Sequence, residues 1–167
     1  MIKVVITTNS APCRNAVALL DKLGLEYELV KARESEFDKA LFYKMLGANV
    51  AEEGIYSFIA ERSTIYKKLV DNGVDFDALS ISELYSLLKE HPKLGTYPFI
   101  FDEDRDVVST GYSENLLRAA VIPRKQRVLE RIALYASTEM ARINNEVDTR
   151  ILLENENTYE QQEIVPA

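Results

Sequence analysis

Residues 8–14 read Thr8-Asn9-Ser10-Ala11-Pro12-Cys13-Arg14, and what lies on either side of them decides the fold. Before them runs Ile2–Ile6, a short β-branched apolar segment that predicts a buried strand. After them, Ala16–Leu23 carries the periodicity of an amphipathic helix. Pro12 stands where a first helical turn accepts proline, and Gly24 stops the helix. Strand, short loop and a Cys-x-x-Cys-type motif at a helix start make the layout of a redox loop. Here the first cysteine position is Ser10, and Cys13 is the single cysteine of the chain. A dithiol needs two sulfurs. The scaffold of a redox site is kept without the atoms for an intramolecular disulfide, which points away from an enzyme and toward binding.

Composition narrows the class. The chain has 167 residues, 47% hydrophobic and 28% charged, which fits one soluble domain with a small subdomain. No apolar stretch approaches the roughly 18 residues of a membrane span, and no basic region precedes an apolar run at the N-terminus. One cysteine excludes a disulfide framework and fits a reducing, cytoplasmic setting. No metal-ligand or cofactor motif stands out, so the expectation is none of either. A net charge of −7 argues against free-standing DNA binding, which relies on positive surface. The charge is uneven. Residues 118–131 hold Arg118, Arg124, Lys125, Arg127 and Arg131 against Glu130. Residues 138–167 hold seven acids against Arg142 and Arg150.

Working outward, Leu25–Val30 alternates as a second strand, parallel to the first through a right-handed crossover. Ser35 is placed to cap a helix to about Leu46, closed by Gly47. A two-glycine loop spans 47–56, and a helix runs from about Phe58 to Val70. Ser80 with Glu83 forms a capping box that opens a helix ended by Pro92. Residues 98–102 and 106–110 read as a hairpin, and helices follow at 113–120 and 124–136. The last helix extends to about Leu153, and 155–167 reads as disordered. The order β-α-β, helices, β-β-α defines an α/β, thioredoxin-like core over 1–34 and 97–137. A helical insertion covers 35–96, and 138–167 is an acidic C-terminal extension. Pro98, opening a strand after Tyr97, sits where that core carries a cis proline.

With these motifs placed, residues 1–137 resemble the Spx and arsenate-reductase (ArsC-like) family, and within it the Spx branch. The stretches that carry the resemblance are Ser10–Arg14, Glu52–Gly54, Ala60–Ser63, Leu84–Pro92, Pro98–Asp102 and Ile122–Lys125. The resemblance implies a transcriptional regulator of the stress response that binds the C-terminal domain of the RNA polymerase α subunit. It meets promoter DNA only through polymerase and is degraded by a cytosolic protease that reads the C-terminus. The alternative it leaves is a monothiol or arsenate reductase acting through Cys13. Two departures bear on that choice. Ser10 replaces the first cysteine, and Thr96 and Tyr97 precede Pro98, where the family usually has arginine.

Each candidate residue has a plainer reading beside the functional one. Cys13 at a helix start gains thiolate stabilisation from the helix dipole, yet a lone cysteine reads better as a small buried core residue. Ser10 as a nucleophile needs a base, and the only histidine, His91, reads as a helix C-terminal cap. Gly54, flanked by Asn49, Glu52 and Glu53, is the partner-binding candidate, through close backbone approach. It equally suits a turn that needs positive φ, and the two are compatible. Arg62 is placed either for anion binding or, preferably, for a structural ion pair. Arg124, Lys125 and Arg127 are promoter-proximal candidates or plain solvated surface. The tip, residues 163–167, is a workable protease handle.

Overall fold

The computed structural model describes residues 1–8, 10–49 and 54–162. It divides into a unit of residues Met1–Ile122 and a second that begins at Pro123. In the first, β1 (Ile2–Ile6) leads through the Ser10 loop into α1 (Ala11–Lys22), which returns the chain to β2 (Tyr27–Lys31). Then come α2 (Lys39–Asn49), a 3-10 turn at Gly54–Phe58, α3 (Thr64–Asp71) and α4 (Ile81–Glu90). The hairpin β3 (Phe99–Asp102) and β4 (Val107–Thr110) and the helix α5 (Glu114–Val121) complete the unit.

The four strands lie in the order β2-β1-β3-β4. β1 pairs parallel with β2, Val4 level with Leu29, and antiparallel with β3, Val4 level with Ile100. Side chains on a strand alternate between faces, and the two cores follow that alternation. On one face Ile2, Val4 and Ile100 pack with Ala16, Leu19 and Leu20 of α1 and Leu117 and Val121 of α5. On the other, Val5, Phe99 and Phe101 meet the helical segment through Phe37, Phe42, Met45, Phe58, Leu84 and Leu88. This second core is aromatic: Phe58 meets Phe42 and Phe99 edge to face, with centroids 5.7 and 5.0 Å apart. Burying a side chain of that size contributes roughly 1.5–3 kcal/mol.

The capping box at Ser80 forms as the sequence indicates. The Glu83 amide donates to Ser80 Oγ at 3.2 Å, and the Ser80 amide donates to the Glu83 carboxylate at 2.7 Å. Tyr97–Pro98 is cis. Other boundaries shift. The cap of α2 is Asp38, whose Oδ1 accepts from the Leu41 amide at 2.7 Å; Gly47 lies inside the helix rather than closing it. The helix expected over 58–70 splits, because Phe58 is drawn fully into the aromatic core while Ser63 caps a new start, accepting from Tyr66 N–H at 3.1 Å.

The largest correction lies in the second unit. A single helix, α6, runs from Arg124 to Gln162, through the expected boundary at 137–138 and over 155–162, where composition suggests disorder. Neither glycine nor proline interrupts that stretch. Arg142 pairs with Glu139 and Glu146 at 2.6 Å each, one helical turn to either side. The protease-handle candidate at 163–167 lies outside the described residues.

Candidate functional site

The Ser10 loop joins the C-terminal end of β1 to α1. Ser10 is the N-cap of α1: its hydroxyl accepts from the Cys13 amide at 3.4 Å, its carbonyl accepts from Arg14 N–H at 3.1 Å, and Pro12 fills the first turn. Cys13 points inward. It is 3% exposed and packs in the aromatic core with Val5 and Val30. Outside it, Thr7, Thr8, Ser10, Cys13, Arg14 and Asp21 contribute to an open groove of about 450 Å³. Among the described residues the groove offers one cation, one carboxylate and the edge of one shielded sulfur.

Tyr97, just before the cis proline, is the residue whose place the sequence indicated and whose role it did not. It stacks on Phe99 with ring centroids 4.3 Å apart and planes at 26°. Its ring also covers Gly95, where a Cβ would collide with it. The phenol oxygen is buried and has no hydrogen-bond partner among the described residues. Burial pushes this phenol well above its ordinary range, and the neighbouring Cys13 adds to the shift. Tyr97 is therefore neutral at all physiological pH, filling space beside Cys13 with an aromatic ring.

Arg62 is exposed and forms no ion pair among the described residues, so the structural pairing preferred from sequence is not observed. A partly buried pair lies elsewhere: Arg105 Nε donates to the buried Asp102 at 2.8 Å, and its guanidinium also reaches the Ala120 carbonyl, tying the β3–β4 hairpin to α5. Nothing in the local sequence pattern marks it. His91 caps α4 through its amide, which donates to the Leu87 carbonyl at 2.8 Å.

Gly54 opens the 3-10 turn with φ +56°, a conformation that favours glycine, and a Cβ there would meet no atom of the described residues within 4 Å. The turn is tied down on one side by Ser57 Oγ, which donates to the Gly54 carbonyl at 3.0 Å. On the other, the Tyr56 hydroxyl donates to Asp77; that bond, with partial burial, pushes the phenol up to about 12. Asn49 is the last residue of α2. Glu52 and Glu53 lie outside the described residues. Arg124, Lys125 and Arg127 occupy the first turn of α6; Lys125 is exposed and Arg127 half-buried.

Among the described residues no group of three or more His, Cys, Asp or Glu is arranged to hold a metal, and no helix is long and apolar enough to cross a membrane. The chain is a thioredoxin-like module whose motif loop carries a capping serine and a buried thiol, with the neutral ring of Tyr97 entering from just before β3. The family can now be stated. Residues 6–120 match the model of the ArsC family, and the chain belongs to that family.

Among its relatives, the global transcriptional regulator Spx of Streptococcus agalactiae is 32% identical over 130 residues, covering 78% of this chain and 89% of its own. The Spx protein of Staphylococcus saprophyticus is 30% identical over 132 residues, with 78% and 93% covered. That of Bacillus subtilis is 30% identical over 129 residues, with 76% and 91% covered. Among solved structures, arsenate reductase from Vibrio cholerae superposes with a TM-score of 0.57 at 18% identity, covering 72% of this chain and 97% of its own. A Staphylococcus aureus protein solved by NMR gives 0.59 at 21% identity, with 74% and 100% covered. These structures share the fold. The relatives named as regulators support a regulator of Spx type, while the family as a whole includes arsenate reductases.

Proposed function

We propose that this chain is a cytoplasmic, non-enzymatic regulator of Spx type that binds the C-terminal domain of the RNA polymerase α subunit. The observation that carries the reading is Gly54. Its φ of +56° disfavours a side chain, and no atom of the described residues lies within 4 Å of where a Cβ would stand. Such a turn leaves bare backbone free for close approach by another protein. Asn49, Glu52 and Glu53 flank it in sequence and supply polar contacts. Lys125 and Arg127, with Arg124, meet promoter phosphates only once the complex is on polymerase, and the C-terminal tip serves the protease.

The motif loop supports the same reading. Ser10 leaves no partner thiol for Cys13, and Tyr97 presents a neutral ring where the family resemblance places an arginine. Oxyanion chemistry depends on concentrated positive charge. One exposed Arg62 does not provide it.

Calorimetry of the full chain against the isolated α domain tests this. Binding is expected at micromolar concentrations and is expected to be lost in Gly54→Arg. Gly54→Asn tolerates positive φ and so separates overlap with the partner from backbone strain; it is expected to weaken binding while leaving the melting temperature close to wild type. Absence of binding at about 50 µM, a concentration at which a specific contact of ~8 kcal/mol is well populated, overturns the proposal. So does full binding by Gly54→Arg. Turnover of arsenate with glutathione or thioredoxin, abolished by Cys13→Ser, would replace it with the reductase reading.

A further inference from the structure

The 39-residue helix α6 leaves a row of large apolar side chains in solvent. Leu129 is 56% exposed, Ile132 59%, Met140 59%, Ile143 42%, Val147 50% and Ile151 50%. With Ala136 the series runs 129, 132, 136, 140, 143, 147, 151, with steps of three, four, four, three, four and four. That is an eleven-residue repeat at about 3.67 residues per turn, close to the natural period of the helix, so the row stays on one face without strong supercoiling. Residues 129–151 span about 33 Å at 1.5 Å per residue. A continuous apolar row of this length, with no glycine or proline along it, is the seam of a helix that expects a partner.

Charge says which partner. The basic residues lie at the start of α6 and the acidic excess beyond residue 138. Because the helix is unbroken, the acidic half of one chain cannot fold back onto its own basic half. An antiparallel second copy can reach it. With the two-fold axis at Met140, Leu129 lies level with Ile151, while Ile132 and Ala136 fall within one residue of Val147 and Ile143. In that same register the basic first turns of one α6, with Lys125, Arg127 and Arg131, lie alongside the acidic second half of the other, with Glu146 and Asp148. A parallel pairing would set each of these charges against its own copy.

We propose that α6 is a self-association element, pairing antiparallel with α6 of a second copy of this chain about a two-fold axis at Met140. The interface is isologous, so each ionic contact forms twice. The inference is independent of polymerase binding.

Sedimentation equilibrium on the full chain tests it. A dimer is expected at tens of micromolar, weakening as salt is raised because the flanking charges are solvent-exposed. Ile143→Lys, which keeps helix propensity, is expected to give a monomer with the first unit still folded. Lys125→Glu with Arg131→Glu, and separately Glu146→Lys with Asp148→Lys, are each expected to weaken the dimer several-fold, and a mixture of these two variants is expected to associate again. The two variants are separate chains, so rescue on mixing comes only from pairing between chains. Leu129→Cys mixed with Ile151→Cys is expected to cross-link, and Leu129→Cys alone is not. A monomer at all concentrations, including one whose 129–151 amides are protected by its own chain, overturns the proposal. So do failure of the mixed variants to associate, and self-cross-linking of Leu129→Cys.

Discussion

Tyr97 lies flat on Phe99, ring centroids 4.3 Å apart, with its hydroxyl buried and unpartnered among the described residues. The stacked ring contributes packing, while the hydroxyl is a desolvated donor and acceptor that stabilises nothing it touches. Tyr97→Phe keeps the ring and removes the oxygen. It is expected to stabilise the protein by about 1 kcal/mol, seen as a rise in melting temperature of roughly 2–4 °C for a chain of this length. A fall in melting temperature would reveal a partner for the phenol and refute the assignment.

Ser10 holds the start of α1 by an oxygen and leaves Cys13 without a second sulfur. Diamide or peroxide is therefore expected to leave the affinity for the polymerase α domain unchanged in the wild-type chain. Ser10→Cys restores a second thiol at the motif and is expected to make that affinity respond to oxidant. Titration calorimetry before and after oxidation reads both. A several-fold change in the wild-type, monomeric protein would show that oxidation of Cys13 alone matters.

The capping box at Ser80 gives α4 a pH-dependent contribution. Hydrogen bonds from the Ser80 hydroxyl and amide hold the Glu83 carboxyl below its ordinary value. A depressed carboxyl means the folded state binds this proton less tightly than the unfolded chain. The contribution is therefore present above the ordinary carboxylate range and lost as pH falls through the folded-state value. Glu83→Gln is expected to melt below wild type at neutral pH, with the two curves converging in acid. A gap that is constant from neutral to acid pH would remove the ionised carboxylate from the account.

Local chemistry wrote the first half of this fold into the chain. The β-branched run Ile2–Ile6, Pro12 after Ser10, the Ser80–Glu83 pair and Pro98 each act within a few residues. β1, α1, the capping box and the cis bond stand where they were read. The loss of a dithiol at the motif loop was equally plain, because a missing sulfur needs no tertiary structure to be noticed. What the sequence could not decide were outcomes of competition across long chain separations. Phe58 left the expected helix because two aromatic rings, Phe42 of α2 and Phe99 of β3, offered it a buried site. Arg62 stayed in solvent while Arg105 took the buried carboxylate. Tyr97 became the neutral cover of Cys13 only when β3 brought them together. The tail misled for the converse reason. Its polar composition resembles disorder, but a stretch without glycine or proline and turn-to-turn ion pairs extend α6 without a core, and only the assembled helix aligns residues 129, 132, 136, 140, 143, 147 and 151 into one row.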